Sequence, residues 1–102
     1  MSAKKFIEGL LGEQMSYAIH LRGYRTRMGL SQVQLAELLG TNSQYISNLE
    51  NKKKFISIPQ AIEFAKKMGE SERVVIELVT QDQLERLGLQ QYKVHLEETV
   101  PQ

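Results

Sequence analysis

Short polar side chains cluster between residues 43 and 51, beside a run of lysines. The side chains that could read bases are Ser43, Gln44, Ser47 and Asn48. A glutamine or asparagine amide can form two hydrogen bonds with the N6 and N7 edge of adenine, and a serine hydroxyl can bond several base edges. Three lysines follow at positions 52–54, where they could contact phosphates. This chemistry suits the major groove of double-stranded DNA.

A short helix is predicted just before this stretch, from Gln32 to Leu39. Ser31 is a favourable N-cap, and Gln34 completes the capping box Ser-x-x-Gln. Gly40 then ends the helix, since a turn at this point needs a residue that accepts positive φ. The residues predicted to face inward are Leu35, Ala36, Leu38 and Leu39.

A second helix is predicted over residues 43–50 and carries the polar side chains on its outer face. Ile46 and Leu49 lie on the opposite, inward face. Two short helices joined by one turn cross at a steep angle, and Ala36 is small enough to allow their close approach. The pair therefore forms a helix-turn-helix.

The rest of the chain is also helical in pattern. Apolar spacings of three and four, together with caps, predict helices over residues 16–28, 59–68 and 72–87. Residues 4–12 could form a short extra helix, although two glycines weaken it. The tail after Gly88 could be a short strand, a helical turn or a disordered end. The fold class is all-α, a compact five-helix domain with a short N-terminal extension and a C-terminal tail.

The composition bounds the class of protein. The chain has 102 residues, of which 41% are hydrophobic and 25% charged, as in one globular domain. It has no cysteine, and His20 and His95 lack a second ligand at metal spacing, so we expect no metal and no cofactor. No catalytic constellation is evident, so we expect no enzyme. The apolar runs are too short for a membrane span or a signal peptide, and we expect a cytoplasmic protein without membrane contact.

Charge is distributed unevenly along the chain. Residues 20–54 hold six lysines and arginines against two acidic residues, whereas residues 70–102 hold three against seven. The first segment would attract a polyanion and the second would repel it, although scattered solvated charge gives the same counts.

Several residues at fixed spacing together resemble one family. They are Gly29-Leu30-Ser31-Gln32, Leu35-Ala36, Gly40, Ile46-Ser47 and Leu49-Glu50. The stretch from Leu21 to Gly69 is similar to the Cro/C1-type (xenobiotic response element) helix-turn-helix family of bacterial and phage repressors. The resemblance implies a lambda-repressor-like fold and binding to double-stranded DNA.

The resemblance also implies roles for single residues. The base-reading residues would be Ser43, Gln44, Ser47 and Asn48. The phosphate-contacting residues would be Gln32, Asn42, Tyr45, Asn51, Lys52, Lys53 and Lys54. Arg25 and Glu50 match positions that form an internal ion pair in some relatives. Tyr45 could instead pack against the helix pair, and Lys52 stands where relatives usually carry glycine.

Relatives generally bind near-palindromic sites as dimers, so we expect a homodimer. The three expected parts of the chain are an N-terminal extension (1–15), a helix-turn-helix domain (16–69) and a dimerising C-terminal helix and tail (70–102). The apolar residues predicted to form the dimer contact are Val75, Leu78, Val79, Leu84 and Leu87. The same stripe could instead complete the core of the monomer.

Three functions remain open at this point. The first is a transcriptional repressor. The second is an antitoxin that binds a toxin protein, through residues 1–15 or 89–102, and represses the shared operon with the same helix-turn-helix. The third is an all-helical adaptor that has kept the fold, and it predicts no salt-sensitive affinity for DNA.

Overall fold

A serine or asparagine caps the start of every described helix. The computed structural model describes residues 15–99, in which the helices are α1 (Tyr17–Arg27), α2 (Gln32–Leu39), α3 (Ser43–Glu50), α4 (Ile58–Met68) and α5 (Glu72–Arg86). The capping side chains, which accept a backbone N–H of the first turn, belong to Ser16, Ser31, Asn42, Ser57 and Ser71. These residues contain no strand, and the prediction of five helices in an all-α fold is confirmed. The extra helix predicted over residues 4–12 lies outside the described residues.

All five helices contribute to the core: α4 packs on α5, α2 packs on α3 and α4, and α1 packs on α3 and α5. The fully buried large side chains of the core are Leu21, Leu35, Leu39, Ile46, Phe64 and Val75. Leu38, predicted to face inward, is instead 44% exposed. The buried stripe of α2 runs through Leu35, Ala36 and Leu39, and Leu38 lies about 100° around the helix from its centre.

Helix α5 packs against α4 and α1 and completes the same core. Val75 is 1% exposed and Val79 is 3% exposed, so neither side chain can reach a second copy. The prediction that these two residues form the dimer contact is therefore wrong. Leu78 is half-buried against the core, Leu84 is half-buried and Leu87 is exposed, so their part in a dimer stays a prediction.

The N-terminal end of α1 is held against α5. The backbone N–H of Tyr17 donates to Oδ2 of Asp82 at 3.2 Å, so an acid on α5 satisfies an N–H that α1 cannot pair internally. Burial raises the pKa of Asp82, and this outweighs the bond from Tyr17. Nearby, His20 Nε2 lies 2.9 Å from Oε1 of Glu70, which joins α1 to the turn between α4 and α5. These contacts fix α1, which in turn supports α3.

The tail turns back along α5 after Gly88. Residues 93–99 have no regular secondary structure, and side chains of α5 hold the segment between residues 92 and 96. The short strand and the helical turn left open for the tail are therefore not formed between residues 93 and 99. No helix within residues 15–99 is long and apolar enough to cross a membrane.

Candidate nucleic-acid interface

Helix α3 is fixed by a capped start and a buried inner face. Asn42 Oδ1 accepts the N–H of Tyr45 at 2.8 Å, and Ile46 and Leu49 are almost fully buried. Gly40 has φ of 73° in the turn before it, which is the left-handed conformation expected there. The capping box of α2 is formed in both directions, between Ser31 and Gln34. The turn and caps thus set the angle at which α3 leaves the domain.

A buried carboxylate fixes the other end of α3. Glu50 Oε2 accepts from Nε of Arg25 at 2.7 Å, and Oε1 accepts from Nη2 of Arg25 at 3.0 Å. Arg25 also donates to the carbonyl of Leu30, so one guanidinium links α1, the loop before α2 and α3. The Glu50 side chain is 1% exposed. Because the charges of Arg25 and Glu50 are paired inside the domain, both residues have a structural role.

Two more side chains complete this network. Arg22 donates to the backbone oxygen of Glu50 at 3.1 Å, and Gln32 Nε2 donates to its Oε1 at 3.4 Å. Burial alone would raise the pKa of Glu50, but the hydrogen bonds from Arg25, Gln32 and Arg22 outweigh it and hold the pKa below its ordinary value of 4.5. Glu50 is therefore ionised at neutral pH, as the arginines require.

The outward face of α3 carries the four side chains predicted to read bases. Gln44 is exposed, whereas Ser43, Ser47 and Asn48 are half-buried. Gln44 Nε2 donates to Oδ1 of Asn48 at 3.1 Å, as side chains four residues apart on a helix can. The structure thus joins the side-chain amides of Gln44 and Asn48 by a hydrogen bond.

Tyr45 lies at the edge of this face and points back toward α4. Its ring packs partly against the core, and its hydroxyl donates to Oε1 of Gln60. The structure shows this side chain packed on the core and bonded to α4, and its contact with phosphate stays a prediction. Its predicted phosphate contact would require the hydroxyl to share or leave Gln60.

The loop after α3 turns sharply and exposes its polar side chains. Lys52 has φ of 58°, so a lysine adopts the left-handed conformation in the position where relatives usually carry glycine. The backbone N–H groups of Lys53 and Lys54 both donate to the carbonyl of Asn48, at 2.8 and 3.2 Å. All three lysine side chains are exposed. The run is thus held beside the outward face of α3.

Asn51 and Gln32 have partners inside the domain. Asn51 Nδ2 donates to the carbonyl of Ser47 at 2.9 Å and so covers the last turn of α3, although the residue is exposed. Gln32 begins α2 and reaches Glu50, which braces α3. Neither bond excludes a further contact to phosphate, since an amide carries two donor hydrogens.

Two contacts at this site were not foreseen from the sequence. Arg22 lies one turn before Arg25 on α1, and that spacing of three residues was a signal that both could reach Glu50. The sequence did not indicate the contact of Gln60 with Tyr45, because that contact depends on where α4 lies.

A shallow depression beside α3 is lined by Thr41, Asn42, Gln44, Tyr45, Asn48, Lys54 and Gln60.

The crossed α2 and α3 pair, with its polar outer face, defines a helix-turn-helix protein. The model of the Helix-turn-helix family matches residues 21–75, and the chain belongs to this family. The resemblance to the Cro/C1-type proteins is thereby confirmed.

One solved structure is similar to the chain over most of both proteins. It is that of the hypothetical transcription factor NHTF from Neisseria, with 26% sequence identity and a TM-score of 0.53. The similarity covers 68% of this chain and 78% of that one. No curated protein matches the sequence. The family and this neighbour support a DNA-binding transcriptional regulator with double-stranded DNA as its partner.

Proposed function

We propose that this chain is a transcriptional repressor that reads a near-palindromic operator as a homodimer in the cytoplasm. The observation that carries the proposal is the outward face of α3. There, two amides and two serines lie directly beside three exposed lysines, on a helix that the core fixes at both ends. A side chain can discriminate between bases only when its own position is set, and burial of Ile46, Leu49 and Glu50 sets it here.

Gln44 and Asn48 are the principal base readers in this proposal. The bond between them uses one donor hydrogen of Gln44 and the oxygen of Asn48, and each amide carries further groups for a base edge. Adenine offers the matching donor and acceptor in the major groove. Ser43 and Ser47 lie on the same face and would bond neighbouring base edges.

The lysine loop supplies affinity that does not depend on sequence. Lys52, Lys53 and Lys54 are exposed at the C-terminal end of α3, where phosphates flank a groove-bound helix. The predicted contacts of Gln32, Asn42, Tyr45 and Asn51 would add to this, the first two from the starts of α2 and α3. Helix starts suit phosphates because their N–H groups and dipoles favour negative charge.

Two copies related by a two-fold axis would place two α3 helices in successive major grooves. Half-sites would then be about 34 Å apart, one turn of DNA. The acidic segment 70–102 is the proposed dimer region, and its charge favours a position away from the phosphates.

The test is a fluorescence-anisotropy titration of the protein against duplexes tiled across the region upstream of its own gene. A scrambled duplex serves as control, and each titration is repeated at two salt concentrations. We expect one near-palindromic duplex to bind far more tightly than the rest, with affinity that falls as salt rises. Affinity equal to that for the scrambled duplex on every tile would contradict repression of its own gene. Affinity independent of salt would contradict DNA binding by this face.

A further inference from the structure

Gly23 lies in the interior of α1, where a glycine weakens a helix. Four other glycines have positive φ, but Gly23 does not, so the backbone does not require a glycine here. Apart from the backbone of its own helix, a Cβ atom at this position would lie within 4 Å of one atom, Nη1 of Arg27 at 3.6 Å. That is an ordinary van der Waals distance to a flexible side chain. Since the fold has room for alanine, the glycine indicates that another molecule comes close to α1.

The space beside Gly23 is a groove between α1 and the loop that follows α3. Residues of α1 line one side of the groove and residues of the loop line the other: Ile19, Arg22, Gly23, Thr26, Asn51 and Lys52. The four residues of α1 are three or four positions apart, so they lie on one face of the helix. Because Gly23 has no side chain, the groove reaches the backbone of α1.

Both sides of the groove carry a cation. The Arg22 side chain is 52% exposed. Two of its N–H groups donate to Glu50, at 3.4 and 3.1 Å, and within residues 15–99 its other N–H groups remain for a ligand. Lys52 is exposed, and its ammonium also attracts the carboxylate of Asp82 on α5. The Glu50 side chain is 1% exposed and paired with Arg25, so the groove presents positive charge.

We propose that this groove binds the sugar-phosphate backbone of DNA, with Arg22 and Lys52 on phosphates and Gly23 against a deoxyribose. The proposal rests on the proposed DNA binding by α3 and adds α1 to that interface. A nucleic-acid strand alternates anionic phosphates with less polar sugars. The groove matches this pattern, because two cations lie beside the aliphatic side chain of Ile19 and the uncovered backbone at Gly23.

Continuity with the lysine loop favours DNA as the occupant. Lys52 belongs both to the groove and to the exposed run of lysines beside the outward face of α3. Phosphates flank a helix that lies in the major groove, so the run and the groove can follow one strand. Thr26 offers no hydrogen to that strand, since its hydroxyl donates to the carbonyls of Arg22 and Gly23. The affinity of the groove should therefore depend on Arg22 and Lys52.

Gly23→Ala tests the proposal because stability and affinity should change in opposite directions. The melting temperature should rise by about 4–8 °C, since alanine favours a helix and the fold has room for its methyl group. Affinity for operator and scrambled duplex should fall alike, about tenfold, because the methyl group holds the strand away from Arg22. Thr80→Ala is the matched control, an alanine placed on α5 outside the groove, and it should leave DNA affinity unchanged.

The salt dependence tests the charge of the groove separately. Arg22→Gln should lower the slope of log affinity against log salt by about 0.9. Arg22→Lys should keep the slope, because it keeps the charge. Lys66→Gln supplies the control, since it removes a charge from α4 whose side chain is 69% exposed. Circular dichroism checks that each variant is folded.

The outcomes separate the groove from the proposed function. Weaker DNA binding by Gly23→Ala, with the same oligomeric state in sedimentation equilibrium, supports the groove. Unchanged affinity of Gly23→Ala, or equal slopes for Arg22→Gln and Lys66→Gln, overturns it, while preference for one operator keeps the regulator. Weaker self-association of Gly23→Ala without DNA also overturns it, because the groove would then hold a second copy. If the natural protein has no salt-sensitive affinity for any duplex, both the groove and the proposed function fail.

Discussion

Arg25 and Glu50 join α1 to the C-terminal end of α3 through two parallel hydrogen bonds, of 2.7 and 3.0 Å. The carboxylate is buried and the guanidinium is mostly buried. A pair of this kind holds a helix in one orientation because both side chains are planar and bond through two atoms each. The end of α3 that leads into the lysine loop is therefore set by α1.

Arg25→Ala should destabilise the domain by about 3 kcal/mol. The substitution leaves the carboxylate of Glu50 buried with only the weaker contacts from Arg22 and Gln32. Urea unfolding at neutral pH, followed by circular dichroism, measures the change. Arg27→Ala is the control on the same turn of α1, where the residue is exposed and a change within about 0.5 kcal/mol is expected. Equal effects of the two substitutions would mean that the pair adds no stability.

Acid should weaken the domain through Glu50. Its pKa is lower in the folded chain than in the unfolded chain, so the unfolded state binds the proton first as pH falls. The stability that this group contributes is present above its unfolded pKa and is lost as pH falls from about 4.5 through the folded pKa. Unfolding free energies measured from pH 7 to pH 3 should fall more steeply for the natural protein than for Glu50→Gln. Parallel curves for the two proteins would contradict this origin of the acid sensitivity.

Lys52→Gly should stabilise the domain, by about 0.5–1 kcal/mol. The φ of 58° strains a lysine but not a glycine, although glycine gains more entropy in the unfolded chain. The matched control is Lys53→Gly. Lys53 does not have positive φ, since Lys52 is the one non-glycine residue with positive φ among residues 15–99. The control should be neutral or destabilising in the same thermal unfolding experiment. If both substitutions destabilised the protein alike, the turn would not store strain at Lys52.

The helices and their turn could be predicted from the sequence because caps act over three or four residues. The capping box of Ser31 and Gln34 predicts where α2 begins, and Gly40 predicts where it ends. The structure shows the helix with these bounds. The same holds for α3, whose inward residues Ile46 and Leu49 repeat at helical spacing.

What the sequence could not supply depends on how the helices pack. The exposure of Leu38 follows from the direction in which α2 meets the core, and four apolar residues within five positions do not fix that direction. Val75 and Val79 formed a stripe that suited either a monomer core or a dimer, and only the position of α5 against α4 decides between them. Within the candidate site, the type of each side chain was predictable, whereas the bond from Tyr45 to Gln60 joins helices whose relative position the sequence does not give.

Gln44→Ala should relax sequence preference more than it weakens binding to unrelated DNA. The substitution removes an amide reader, which is worth about 1–3 kcal/mol of discrimination for a good base contact. It also leaves Asn48 without the bond from Gln44, so both readers are affected. Anisotropy titrations on the operator and on operators changed at one base pair measure the effect. Gln91→Ala is the control, since it removes an exposed amide from the tail. Equal weakening on operator and scrambled duplex would contradict a role in base reading.

Lys53→Ala should weaken binding to every duplex alike and reduce the dependence of affinity on salt. Each phosphate contact that is lost lowers the slope of log affinity against log salt by about 0.9 per site. The side chain is exposed and its backbone N–H donates to Asn48, so the substitution removes a charge without disturbing the turn. Lys66→Ala supplies the control, because it removes a charge near the end of α4 whose side chain is 69% exposed. An unchanged slope for Lys53→Ala, or an equal change for both variants, would mean that the lysine loop does not contact phosphate and that net charge alone attracts DNA.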